Sequence, residues 1–265
     1  VFLKALSRGW LALIGEDRMD INELLMSTKP ILYDTGDEHW PYAYSGTCFP
    51  VRFRDALYVV SADHCYKNFG IEPQQTMYPM PGDPRTAFPF DLKVRAEAPS
   101  AKDPKHKDQV ILRVAQSAPK DAVVALDLGD PHNSRLPTSG RLRDIVLRGY
   151  PWDCPKHEID YSNEAIRSQA YTTNGRISAT PAEFDYCYYV RLIAPIPNGM
   201  TPNGMSGSPL YGVTLSGRPV FCGMVIEYNY ITKEYLAVGP EVLVNALLKL
   251  DKERATGAGT AVSPG

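Results

Sequence analysis

The sequence lacks several features that would settle its class directly, and each absence excludes something. No apolar run approaches the roughly 18 residues of a membrane span, so no transmembrane segment is expected and the chain reads as soluble. The opening VFLKALSRGWLALIG is broken by Lys4 and Arg8, and no small-residue cleavage site follows, so it does not read as a signal peptide. The first residue is Val, which suggests a chain trimmed or excised from something longer, and the compartment stays open. Five cysteines are too few for a disulfide scaffold, and the odd number leaves at least one unpaired if all bridges are internal. An excess of either charge is also missing. The 28 Lys and Arg against 30 Asp and Glu argue against a protein that coats nucleic acid or an anionic membrane. There is no Walker A sequence, and Gly257-Ala258-Gly259-Thr260 lacks the strand–loop–helix context of a phosphate site.

What is present reads as a folded, strand-rich chain. Charged residues at 22% and apolar residues at 44% are ordinary for a globular protein. The 20 Gly, 23 Pro and 16 Tyr suit many short strands joined by turns. Strand-like runs fall at residues 46–53, 56–62, 88–96, 109–114, 122–126, 144–150, 174–179, 186–194, 207–213, 220–228 and 235–238. They divide into two halves, 31–120 and 121–238, expected to form an all-β barrel or sandwich. Residues 1–30 read as an N-terminal extension, with a helical turn or two around Ile21 to Met26. A helix over 239–252 is expected from Pro240 in its first turn and Val242, Leu243, Ala246, Leu247 and Leu250 at helical spacing. Residues 253–265 read as a disordered tail.

The chemistry is concentrated in Pro202-Asn203-Gly204-Met205-Ser206-Gly207-Ser208-Pro209-Leu210. A serine between small residues ahead of an apolar strand suits a nucleophile on a tight turn, whose backbone N–H groups can converge on an oxyanion. The alternative is a surface loop feeding a strand. A serine nucleophile needs a base, and the base an orienting carboxylate. His64 follows the apolar run Ala56 to Ala62, and Asp108 precedes Val110-Ile111-Leu112-Arg113-Val114. Asp103 is the rival acid, in a Lys- and Pro-bearing loop without strand support. No histidine follows His157, so the Ser–acid–His order of α/β-hydrolases is excluded, whereas the order His64, Asp108, Ser206 is that of chymotrypsin-type double barrels.

The segments Gly46-Thr47-Cys48, Val60-Ser61-Ala62-Asp63-His64-Cys65, Asp108-Gln109-Val110-Ile111-Leu112 and Gly204-Met205-Ser206-Gly207-Ser208-Pro209 together resemble trypsin-like serine peptidases. Gly149-Tyr150-Pro151 and Ser208-Pro209 look like the bacterial branch of glutamyl endopeptidases and HtrA-like enzymes. The resemblance implies two six-stranded antiparallel β-barrels with a C-terminal helix, and a serine endopeptidase acting on a protein or peptide substrate. It implies His64 as base and acid, Asp108 as its orienter and Ser206 as nucleophile, with the amides of Gly204 and Ser206 as oxyanion hole. Neither metal nor cofactor is implied. Met200 aligns with the base of the primary pocket, and Ile226-Glu227-Tyr228 with the strand that pairs with substrate. Met205 stands where digestive relatives carry an Asp that pairs with a new N-terminus, so activity should not depend on burying a charged Val1.

Further expectations come from the same segments. Cys48 and Cys65 match the bridge that staples the histidine loop in many relatives, and bridged and reduced states are both open. Asp63 is expected to point to solvent. Cys154 and His157 have half of a zinc spacing, with no second pair nearby. Lys102, Lys105 and Lys107 are interrupted by Asp103 and Asp108 and read as a solvated loop, not a nucleic-acid contact. Tyr186, Tyr188 and Tyr189 read as barrel packing. The rival functions are a catalytically silent binding protein on the protease fold, and a protease module of a larger chain gated by residues 1–30.

Overall fold

Short apolar runs separated by Gly, Pro and Asx turns pair into two sheets that meet along a cleft. The computed structural model describes residues 19–39, 41–72, 75–80, 83–95, 108–119, 121, 123–136, 141–154, 157–160, 165–197 and 199–255. The first half comprises α1 (Ile21–Ser27), β1 (Lys29–Asp34), β2 (Tyr42–Phe53), β3 (Ala56–Ser61), the single turn α2 (His64–Lys67) and β4 (Thr76–Met77). It continues through β5 (Pro79–Met80), β6 (Asp83–Ala87), β7 (Phe90–Arg95), β8 (Val110–Val114) and β9 (Leu126–Asp127). The second half comprises β10 (Leu142–Gly149), β11 (Glu158–Asp160), β12 (Ala165–Arg167), β13 (Tyr171–Ile177) and β14 (Cys187–Leu192). Then follow β15 (Pro209–Thr214), β16 (Pro219–Asn229), β17 (Glu234–Val238) and the closing helix α3 (Pro240–Ala255).

In the first half the strand order is β4-β1-β2-β3-β8-β7, with β9 parallel beside β2. Strand β3 is its spine: all six residues are buried, and β2 and β8 flank it in antiparallel register, Phe49 and Leu112 facing Val60 and Val59. A strand buried on both faces must be continuously apolar, which is why this run carries no alternation. The second half is a closed barrel in the order β10-β13-β14-β17-β16-β15. Its interior is filled by Ile145, Leu147, Tyr188, Val190, Leu210 and Cys222, each of them buried. Helix α3 buries Val242, Leu243 and Leu247 in the larger core that also holds Phe49 and Phe221, whose rings meet at 5.6 Å across the two halves.

The chymotrypsin-like double-barrel architecture is the one expected. The second half has the expected six strands, while the first is a seven-stranded curled sheet with no closing strand pair among the described residues. Helix α3 runs to Ala255, three residues past the expected end, carried by the helix-compatible Glu253 and Arg254. The described part of the expected N-terminal extension packs on the first half: Leu24, Leu25 and Thr28 are buried, and β1 starts at Lys29 and pairs with β2. The run expected at 122–126 contributes only β9, at its end. Residues 1–18, the tail from 256 and the loop with Asp103, Lys102, Lys105 and Lys107 lie outside the described residues. No helix among the described residues is long and apolar enough to cross a membrane.

Candidate active site

The apolar strand β3 delivers Asp63 and His64 to the cleft, and α2 turns the chain sharply away. Asp63 does not point to solvent as expected. Its carboxylate is fully buried and is held by Arg95 Nε at 2.9 Å and Lys67 Nζ at 2.6 Å. A buried carboxylate needs such partners, so Asp63 anchors the base of the turn from which His64 projects. Asp108, at the entrance of β8, grips His64 twice. Its Oδ1 accepts the His64 backbone N–H at 2.9 Å, and its Oδ2 lies 2.7 Å from His64 Nδ1. With Nδ1–H as donor, Nε2 is the nitrogen left for proton transfer. Burial acts to lower the His64 pKa, but the hydrogen bond to Asp108 and the neighbouring Cys65 outweigh it and raise the value to about 10. The pairing with Asp108 thus favours the protonated imidazole.

The turn carrying Ser206 hangs from the second barrel between Trp152 and β15. Gly204 and Gly207 have φ of +89° and +86°, a region where side chains are strained. A Cβ on Gly207 would lie 1.9 Å from the Thr47 carbonyl oxygen, so the turn packs directly on β2 of the other half. Four successive carbonyls are pinned. Asn203 O accepts from Trp152 N–H at 2.9 Å, Gly204 O from Thr47 Oγ1 at 2.9 Å, Met205 O from Ser208 N–H at 3.0 Å, and Ser206 O from Thr47 N–H at 3.0 Å. The N–H groups of Met205, Gly207 and Ser208 are spent on backbone bonds, whereas those of Gly204 and Ser206 have no partner among the described residues. Fixed peptide planes with two unspent donors are what an oxyanion site requires. Met205 is buried in the apolar interior of the second barrel, a place with no ion-pair partner for a chain terminus.

A cavity of about 810 Å³ opens between the halves and is lined by His64, Asp108, Gly204 and Ser206 together. Ile226, Glu227 and Tyr228 also line it, whereas Met200 does not: it sits half-buried, its N–H bonded to Pro197 O. The Ile226 side chain is buried at the bulge between Val225 and Glu227, so this residue offers its carbonyl to the cleft. Beyond Met224 strand β16 has outrun its ladder with β15, and Glu227 to Asn229 pair with β17 alone among the strands. Ser206 Oγ donates to Ile226 O at 3.4 Å, and no hydrogen bond joins it to His64 among the described residues.

Several lining residues escaped the sequence reading. Phe69 and Trp152 are exposed aromatic rings, and Tyr230 donates its hydroxyl to Asn203 Oδ1 at 3.0 Å across the mouth. Thr47 lay within a quoted segment, but nothing local signals that its side chain crosses to Gly204.

All five cysteines are free thiols. Cys48 Sγ faces Pro30 O and Cys65 Sγ faces Ser206 O, each at 3.8 Å, so the bridge implied by resemblance is not formed. Burial pushes both thiols up, which keeps them neutral and unreactive. His157 Nδ1 accepts the Gln169 N–H at 3.2 Å, and its ring packs on Tyr44 and Tyr150. Among the described residues no group of three or more His, Cys, Asp and Glu is placed to hold a metal ion. Tyr188 packs inside the barrel, its hydroxyl on Cys222 O, while Tyr186 is exposed.

No known family profile matches the chain, and no curated protein matches it. Among solved structures, the tobacco vein mottling virus protease is similar over 86% of this chain and 82% of its own, at 13% identity and a TM-score of 0.46. A second comes from work on aromatic interactions that drive coupled folding and binding of the intrinsically disordered Sesbania mosaic virus VPg protein. It covers 84% of this chain and 96% of its own, at 16% identity and a TM-score of 0.45. Neither is a bacterial enzyme, so the bacterial branch gains no support. The double-barrel assignment rests on this chain's own two sheets.

Proposed function

We propose that the chain is a serine endopeptidase working through an acyl-enzyme. The observation that carries this reading is the juxtaposition in one cleft of the His64–Asp108 pair with a serine turn whose Gly204 and Ser206 N–H groups have no partner among the described residues. Once His64 has lost its extra proton, the Ser206 hydroxyl swings from Ile226 O to Nε2, a contact of the kind that tightens when substrate binds. Ser206 Oγ attacks the peptide carbonyl as its proton passes to Nε2. The oxyanion is received by the Gly204 and Ser206 N–H groups. Collapse expels the amine, which takes the proton from His64. Water, deprotonated by His64, then releases the acid and restores Ser206.

The acyl side of the substrate extends along β16 beside Ile226 to Tyr228, which line the cleft. Met200 is not among the residues that line the cleft and is given no role. Profiling cleavage with a peptide library tests the reading. Turnover should fall on the order of 10⁴- to 10⁶-fold in Ser206→Ala. Equal cleavage by both chains would overturn it.

The Ser206–Ile226 hydrogen bond favours a second reading, a protease fold that only binds its partner. It predicts that Ser206→Ala and the native chain bind peptides alike, and that neither turns them over.

A further inference from the structure

Phe69 and Trp152 are 45% and 46% exposed, yet their rings meet edge-to-face at 5.5 Å, one from each half of the molecule. Both line the cavity that holds Ser206. The Trp152 ring packs against the backbone of Gly204, since a Cβ there would lie 2.5 Å from Trp152 Cδ1. The ring pair therefore starts at the oxyanion turn and continues along the wall that carries His64, Lys67 and Asn68. Large rings left half in water beside a reactive centre are a binding surface more often than an accident of packing.

We infer that the Phe69–Trp152 pair is a subsite for an uncharged apolar or aromatic side chain in the leaving-group segment of the substrate. This rests on the peptidase reading above. His64 must hand its proton to the departing amine, so the segment that departs emerges along the wall bearing His64. The opposite wall, Ile226 to Tyr228, is occupied by the acyl segment. Lys67 stands on the same wall as Phe69, and its ammonium disfavours a cationic side chain there. The carboxylates nearby are engaged: Asp63 holds Lys67 and Arg95, and Asp108 holds His64. The two rings supply the large apolar surface on this wall.

The experiment uses the full chain and quenched peptides that vary only in the first three residues after the scissile bond. The native chain should cleave peptides with Phe or Leu there about ten-fold faster in kcat/KM than those with Gly, and faster than those with Lys. This ratio should collapse towards one in Phe69→Ala and Trp152→Ala, and Phe69→Leu should keep part of it. Because each ratio is taken within one variant, general damage to the chemistry cancels. A ratio unchanged by both alanine variants, or a native preference for Lys, would overturn the subsite. Fluorophosphonate labelling of the native chain reports separately on the peptidase reading. Should labelling fail, calorimetric binding of the same peptides to the native chain still decides: apolar-selective binding lost on Phe69→Ala supports the subsite, and unselective binding or none sinks it.

Discussion

Thr47 joins the halves at the level of single atoms. Its hydroxyl donates to Gly204 O and accepts from Tyr150 N–H at 3.0 Å, while its own N–H reaches Ser206 O. Thr47→Val keeps the shape and strands two buried backbone groups, which should cost about 2–4 kcal/mol. Loosening the Gly204 peptide plane should also lower kcat about ten- to a hundred-fold with KM little changed, and Thr47→Ser should restore it. Equal loss in the Ser and Val variants would show that the hydroxyl positions nothing. His64 gives a second check. Its folded pKa is raised above the ordinary 6.5 to about 10, chiefly through Asp108 against the opposing effect of burial. The stabilisation from this pair is fully present below pH 6.5 and is lost as pH rises through the folded value. NMR titration of the imidazole should give a midpoint well on the alkaline side, falling in Asp108→Asn. Since the base form is needed for attack, kcat/KM should rise with pH over the same range.

Element by element, legibility followed burial. The runs that became β2, β3, β8, β16 and β17 were visible because strands packed on a core carry apolar stretches, and β10 because Ile145 and Leu147 alternate with less buried neighbours. The two- and three-residue strands β4, β5, β9, β11 and β12 were not, since so few residues hold no periodicity. Helix α1 was seen, but its attachment was not, because that depends on distant partners. Tyr150 Oη donates to Thr28 O at 2.9 Å and the Tyr78 hydroxyl to Ser27 O. Asp63 was misjudged for the same reason: its partners Arg95 and Lys67 lie on β7 and α2. A chain starting near Pro30 should lose the burial of Leu24 and Leu25, about 3–6 kcal/mol, and unfold at lower urea. Unchanged stability would mean that α1 rests on the surface without supporting it.

On the scale of the whole molecule, the proposed function depends on two sheets meeting at one cleft. The first supplies His64 and Asp108, the second supplies Ser206, and Thr47, the Phe49–Phe221 contact and helix α3 hold the halves together. Chain order singles out His64, Asp108 and Ser206 as the proposed triad, because no histidine follows His157 and the order His, Asp, Ser is that of chymotrypsin-type double barrels. The ring pair of Phe69 and Trp152 was illegible, since its members come from different halves. The most direct measurement is to treat the native chain with a fluorophosphonate above pH 8 and map the adduct by peptide mass spectrometry. A single phosphonyl group on Ser206, missing in Ser206→Ala and formed far more slowly in His64→Ala, is the predicted result. Adduct elsewhere, or labelling of Ser206 at the same rate without the imidazole, would contradict it.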